Sequence, residues 1–521
     1  MSRPVFVPAR RQWLATAGGA ALVTGLAPAF VRHARAAEVP RFELGIASGF
    51  PRPDRLVLWT RLTGAALPAQ AEVQWELASD EAFRDIVARG SETALAAEAH
   101  SVHAEPADLA PGRWYWYRFR ALGQQSAVGR TRTAPASDAA TTLRFVTTSC
   151  QRWDHGHFAA WRDVAEQPPD LVLFLGDYIY ESARLPLRTA GFTRQHDGLE
   201  CRTLDDYRAR YAQYKRDPAL QAAHAAAPWL FVWDDHEVDN DYAGLTPGGA
   251  PDAAFAQRRA AAYQAYWEHQ PLPRAMKPAG PDARIYGAYD WGQLARILCV
   301  DDRQYRDPQA CPRPGRGGSN SVLRKGCAEL ADPRRSLLGA TQERWLADQW
   351  STHQPWNLLA QQTLMTPFEW RSPQAPDDTL VWTDGWDGYA PARARLLGTV
   401  AERRLSGCVV LGGDVHASYV ADLHAEGSDP ARGRPIVATE FCGTSISSLG
   451  MAQERIDAAL PHNPQLHYGR SAERGYLRFT LDARSLQAEV RAVDQPLDPA
   501  SAVRTAARFV VEAGRPGAQR A

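Results

Sequence analysis

The chain has no excess charge of either sign: 59 Lys and Arg stand against 59 Asp and Glu among its 521 residues. Bulk attraction to nucleic acid or to an anionic membrane surface is thereby argued against, and an anionic ligand has to be caught by a local constellation. No amphipathic basic helix marks a membrane-docking surface. A GxSxG motif is missing, which speaks against a serine-nucleophile esterase, and Ser445, Ser447 and Ser448 have no evident partner base. Biased tracts are missing too. With 17 Trp and 45% hydrophobic residues, the composition is that of a globular, enzyme-like chain. Its length allows two or three domains, or one large domain with a small appendage.

Apolar runs long enough to span a bilayer, about 20 residues, are also lacking. The nearest approach is N-terminal: Arg10 and Arg11 precede Gln12, Trp13 and Leu14, and a Gly/Ala-rich stretch runs to about Val31, followed by Ala34, Arg35 and Ala36. A paired Arg, a weakly hydrophobic run and an AxA site form a twin-arginine leader, residues 1–37, cut near Ala36 or Ala37. The mature protein is expected to be soluble, in the periplasm or outside the cell, exported already folded by the twin-arginine machinery. An even cysteine count is absent as well. Seven Cys leave at least one thiol outside intramolecular disulfides. Cys311 and Cys327, bracketing a Gly/Pro/Ser-rich loop, are the best pair, whereas Cys299 and Cys408 sit in apolar strand-like runs as buried thiols.

What is present divides at about residue 137. From Phe42 to Pro135, short alternating runs such as Arg55 to Trp59 and Glu72 to Leu77, with turn-rich connections, indicate an all-β domain over 38–137. Tyr115, in a Trp/Tyr-rich run after Pro111 and Gly112, has the setting of a tyrosine corner in a fibronectin-like or immunoglobulin-like sandwich; an ordinary aromatic-rich strand is the alternative. From 138 to 521, buried runs at Leu143 to Thr148, Leu171 to Leu175, Trp229 to Trp233, Ala295 to Val300, Trp356 to Ala360 and Val409 to Leu411 alternate with helix-period stretches. That pattern predicts an α/β core of layered sheets, with ligands beyond the carboxyl ends of the strands.

Four of those ends carry ligand-type residues: Ser149-Cys150-Gln151, Gly176-Asp177-Tyr178-Ile179-Tyr180, Trp233-Asp234-Asp235-His236-Glu237 and Gly412-Gly413-Asp414-Val415-His416. Any one could be a helix cap or a satisfied polar residue. One metal cluster accounts for all four at once, which a binding module would leave unexplained. Tyrosinate, from a phenol of pKa about 10, needs a strongly Lewis-acidic ion such as ferric iron to stay deprotonated. Cys150 is a soft anionic donor suited to a transition metal. Asp235, Asp239 and Asn240 are hard oxygen donors that suit a calcium-like ion.

Together with ASGFPRPDRLVLWTRL at 47–62, LDDYRARYAQYKRDPALQAAHAAAPWLFVWDDHEVDND at 204–241, DDRQYRD at 301–307, LGATQERWL at 338–346, WDGYAPAR at 386–393 and ATEFCGTSISS at 438–448, these motifs make a chain that resembles the PhoD-like alkaline phosphatases and phospholipases D. The resemblance implies a metallophosphoesterase fold, an α/β layered sandwich. It also implies a ferric ion held by Cys150, Asp177, Tyr180, Asp387 and His416, with calcium sites completed by Asp235 and Asn240. On that resemblance Asp177 would bridge the two kinds of ion, with Asp239 as a neighbour. For Asp387 a turn carboxylate is the alternative. The family often has Thr where Asp302 stands, so this chain departs from the pattern by an added carboxylate that alters the local charge. The implied activity is hydrolysis of phosphate monoesters and diesters, with phospholipids as a further class, by attack of a metal-bound oxide or hydroxide. His236 is placed to act on the leaving group, and Arg303 and Tyr305 to contact phosphate oxygens. A structural His and a structural ion-pair Arg are the alternatives. A monomer is expected, with the ester substrate and the export machinery as partners and no stable nucleic-acid or membrane partner.

Overall fold

The six apolar runs form strands at Leu143–Thr148, Leu171–Leu175, Trp229–Val232, Ala295–Cys299, Trp356–Ala360 and Cys408–Gly412 in the computed structural model, which describes residues 41–183, 194–372, 375–425 and 435–521. The expected leader, 1–37, lies outside the described residues. The first three strands run parallel in a ten-stranded mixed sheet, and the last three run parallel with Ile436–Cys442 in a seven-stranded one.

Each run is mostly apolar and almost wholly buried, Arg144 being exposed and Arg296 half-buried, because its strand is covered on both faces. Successive side chains alternate sides. Ala295, Ile297 and Cys299 join the core that also holds Phe145 and Phe479, while Leu298 joins a second cluster with Leu346, Leu396 and Val400 from helices Gly339–Gln349 and Ala390–Glu402. Leu358 and Val409 repeat the inward choice, and Leu359 and Val410 the outward one. The main core thus lies between two facing sheets, where Phe441 meets Phe479 edge-on at 5.4 Å. On the ten-stranded sheet, Trp161 of helix Ala159–Glu166 packs 4.7 Å from Trp229, and Tyr263 of helix Phe255–His269 stacks on Trp233 at 4.0 Å.

Strands Gln70–Ala78, Ile86–Leu95, Trp114–Ala121, Gln124–Gln125 and Gly129–Arg132 form a five-stranded antiparallel sheet. Ile46–Gly49, Val57–Arg61 and Ser101–Ala104 instead extend the ten-stranded sheet, through the parallel pairing of Gly49 with Trp229. Tyr115 makes the corner contact: its hydroxyl accepts from Ala110 N at 3.0 Å and donates to Ala110 O at 3.2 Å. Cys311 and Cys327 are disulfide-bonded, and Cys150, Cys201, Cys299, Cys408 and Cys442 are buried free thiols.

Candidate metal centre and active site

Both sheets end at the same place. Ser149, one residue beyond its strand, forms a parallel bridge with Ser445, three beyond Ile436–Cys442, so the carboxyl ends of the two sheets are tied together. Two glycines permit this convergence. At Gly176, with φ +102°, an added Cβ would lie 2.4 Å from Asp234 Cβ; at Gly413 it would lie 2.4 Å from Ser149 Oγ. The residues that follow turn sharply: Cys150, Asp177, Asp414 and His416 have φ of 58°, 58°, 65° and 53°. The left-handed region costs a non-glycine residue about 1 kcal/mol or more, and such strain collects where a side chain must be aimed. Glu237 braces the turns, its carboxylate accepting from Asp177 N at 2.9 Å, from Asp234 N at 2.7 Å and from Tyr178 N.

Cys150, Asp177 and His416 present donor atoms within 4.8 Å of one another. Tyr180 completes the group, its hydroxyl 2.9 Å from Asp177 Oδ2 and 3.0 Å from His416 Nε2. The His416 Nδ1–H donates to Leu449 O at 2.8 Å, leaving Nε2 as the free donor atom, and burial pushes the ring down to about 3, so it is neutral. Burial, then Asp177, raises both the Tyr180 phenol and the Cys150 thiol well above their ordinary values. A multivalent cation inverts that preference. Three overlapping acid-rich groups adjoin: Asp177, Asp235 and His236; Asp234, Asp235 and Asp414; and Asp235, Asp241 and Asp384. Six buried or half-buried carboxylates are thus gathered beside three cationic side chains, Arg303, Arg306 and His236, with Arg303 and Arg306 paired to Asp234 and Asp384. A thiol, a phenol and an imidazole beside an oxygen-only cluster suit a transition metal next to hard cations, and the unbalanced acidic charge calls for cations there.

The remaining expected residues are distributed as follows. His236 lines the cavity with its ring 4.1 Å from that of Tyr180 and its Nδ1 2.6 Å from Glu181 Oε2. Burial opposes its positive charge, but Glu181, Asp235 and Asp177 prevail and raise its pKa well above the ordinary value. Asn240 is exposed on the cavity lining. Asp387 also lines the cavity but stands outside the four ligand groups, its carboxylate held by Arg393 Nη1 at 2.8 Å and Phe368 N at 2.9 Å. Asp239 is paired with Arg258 at 3.0 Å and accepts from Gly248 N.

Two expected substrate contacts lie off the cavity lining in this structure. Arg303 is fully buried, does not line the cavity, and bonds to Asp234 at 2.5 Å and Asp384 at 2.7 Å, with Asp235 and Asp414 each 3.9 Å away. Its Nε and Nη1 hold Asp234 and Asp384 together, while the buried Nη2 makes no hydrogen bond among the described residues. Tyr305 lies off the cavity with its hydroxyl on Ala283 O at 3.2 Å. Asp302 is fully buried and off the cavity lining too.

Several participants carried no assignment in the sequence reading. Asp234 and Asp414 stand inside motifs already quoted, and Glu181 follows Tyr180 directly, so adjacency was the available signal. Asp241 closed the WDDHEVDND motif. Asp384 precedes WDGY with nothing to distinguish it from a turn carboxylate. Ser448, from the serine-rich segment, lies 2.7 Å from Tyr180 Oη and 2.8 Å from Cys150 O. Only the bridge between the sheets brings it there.

Comparison with known proteins identifies the family. Residues 145–490 match the family model described as PhoD-like phosphatase, and residues 25–135 match that of the PhoD-like phosphatase N-terminal domain. Alkaline phosphatase D of Bacillus subtilis (strain 168) is 40% identical over 489 residues, covering 91% of this chain and 82% of that protein. A solved structure titled "Structure of PhoD" superposes with a TM-score of 0.86 at 39% identity over 92% of each chain. On these grounds the chain belongs to the PhoD-like phosphatase family and is a hydrolase of phosphoric esters.

Proposed function

We propose that this chain is an exported, metal-dependent phosphoesterase that hydrolyses both phosphate monoesters and diesters on small soluble substrates. The carrying observation is the convergence of Cys150, Asp177, Tyr180 and His416 at the joined strand ends beside the Asp234, Asp235 and Asp414 carboxylates. In this reading, ferric iron is held by Cys150, Asp177, Tyr180 and His416. Calcium is held by Asp235, Asn240 and the neighbouring carboxylates. Asp387, paired with Arg393, would complete that iron shell only without this ion pair. When bound, the metals supply Lewis acids for the phosphoryl oxygens and an activated water.

The chain's own groups do the rest. Glu181 keeps His236 protonated and oriented at the cavity, from which it donates a proton to the leaving oxygen. Arg303 holds the acidic cluster in register, and Leu449 O sets the His416 tautomer. The two facing sheets, extended by Ile46–Gly49, Val57–Arg61 and Ser101–Ala104, serve as a metallophosphoesterase core, only the remaining five-stranded sheet of the 38–137 segment keeps a fibronectin-like or immunoglobulin-like character, and the chain acts as a monomer after export through its Arg10-Arg11 leader. Changing both arginines to Lys is expected to hold the precursor in the cytoplasm; unimpaired export counts against the leader.

The test is metal analysis of active protein, with turnover of a chromogenic monoester and diester. Iron is expected, with a tyrosinate-to-iron colour, and chelation of calcium should abolish activity before the colour fades. Tyr180→Phe should depress both activities in parallel, because one site serves both. An active, iron-free preparation refutes the assignment.

A further inference from the structure

The cavity that exposes the acidic cluster encloses about 410 Å³, within the range of small-molecule sites, and a substantial part of its lining is aromatic. Two of its aromatic side chains, Trp370 and Trp382, come from a small antiparallel sheet of Ser321–Leu323, Trp370–Ser372 and Ala375–Trp382. Register decides which side chains it presents. Trp370 pairs with Leu380 and Ser321 with Trp382, so all four share one face, and all four line the cavity. Val381 points the other way, into a cluster with Ala310, Leu330 and the disulfide-bonded Cys327. The sheet is therefore anchored from behind and turns two half-buried indoles toward the acidic cluster.

The indole at 370 is held in place. Its ring packs on Phe368 at 4.5 Å, Phe368 meets Tyr419 edge-on at 5.4 Å, and both are buried in a cluster with Ile456. The Arg455 guanidinium lies 5.6 Å from the Trp370 ring centre and forms no ion pair among the described residues. Neither attack on phosphorus nor retention of cations calls for aromatic surface at this position. Rigid, partly solvated π-faces instead suit stacking on a planar group, which is worth about ten-fold or more in affinity per base in nucleic-acid-binding sites.

We propose that this indole face is a substituent subsite for a planar aromatic group, so that the enzyme prefers phosphate esters carrying a nucleobase or aryl ring over those of polyols. The proposal rests on the phosphoesterase reading above. Its test compares 5′-AMP with ribose 5-phosphate, which share a primary alkoxide leaving group and differ by the base. Wild-type kcat/KM should favour 5′-AMP by about ten-fold or more, chiefly through KM. Trp370→Ala and Trp382→Ala should each collapse that ratio toward one, and Trp370→Phe should restore part of it. Phosphate-free competitors locate the contact: inhibition by adenosine alone assigns the subsite to a nucleobase, inhibition by benzyl alcohol as well assigns it to any aryl ring, and inhibition by neither overturns it. A wild-type ratio near one, with both substrates turned over, also overturns it. Failure to hydrolyse either ester refutes the phosphoesterase reading instead. Equilibrium dialysis of adenosine against the wild-type chain then decides the subsite independently, binding supporting it and no binding overturning it.

Discussion

Arg303→Met separates two roles that the sequence left open. If the guanidinium contacts phosphate, its loss raises KM and leaves the fold alone. As an organiser of carboxylates it acts on stability and on the site together. The side chain is fully buried, with bonds of 2.5 Å to Asp234 and 2.7 Å to Asp384. Two further carboxylates, Asp235 and Asp414, lie 3.9 Å from Nη2. Removing one partner of a buried ion pair costs about 3–5 kcal/mol, because the other partner stays desolvated and uncompensated. Here Asp234 loses its direct partner, whereas Asp384 keeps Arg306 at 2.8 Å and Gln309 at 2.7 Å, so Arg303→Met is expected to cost about 3–5 kcal/mol and not more. Arg303→Lys keeps the charge but replaces a planar fork with a point donor, so it should lie between wild type and Met. The assay is urea-induced unfolding of the full chain, by rate where refolding fails, run beside metal analysis and steady-state kinetics. An Arg303→Met protein that unfolds like wild type while its KM rises ten-fold refutes the organiser role.

Glycine substitutions should act with opposite signs at two positions. Gly176→Ala places a Cβ 2.4 Å from Asp234 Cβ at φ +102° and is expected to cost about 2–5 kcal/mol of stability. Gly398→Ala, inside helix Ala390–Glu402 with nothing within 4 Å, is expected to add about 0.5–1 kcal/mol; equal shifts for the two by denaturant titration refute the steric account. Away from the site, the His467 ring sits 2.8 Å from Asp422, whose hydrogen bond raises the His467 pKa above 6.5 against partial burial. The pair contributes stability in full below the unfolded-state value and loses it as pH rises through the higher folded-state value. His467→Gln should flatten that part of the stability–pH profile by a modest amount, given the solvent screening of a half-exposed ring. An unchanged profile contradicts it.

How much was legible follows from the range over which each signal acts. Two-sided burial writes itself into consecutive residues, so the strands Leu143–Thr148, Leu171–Leu175 and Trp356–Ala360 could be delimited from apolar runs alone. Donor chemistry is likewise local: Cys150, Asp177, Tyr180 and His416 each stand just past a strand, and their residue types already suggest a transition metal. The pairing of Cys311 with Cys327 was legible from the short Gly/Pro/Ser-rich loop between them.

Tertiary structure decided which way polar groups face and what lies next to them. DDRQYRD does not reveal that Arg303 points inward to Asp234 and Asp384 while Tyr305 points away, because partners 69 and 81 residues distant set those directions. Nor does the alternation from Phe42 to Pro135 reveal that three of its strands join the ten-stranded sheet, since edge pairing through Gly49 and Trp229 is a long-range hydrogen-bond choice. The same holds for the indole face: only the register of Trp370 with Leu380 and of Ser321 with Trp382 puts two tryptophans on one side. The sequence by itself determined the strand cores and the kinds of donor atom, because burial and ligand chemistry are properties of short segments. The folded chain alone decided the partners of Arg303 and the aromatic lining of the cavity, because these depend on the register and convergence of strands distant in sequence.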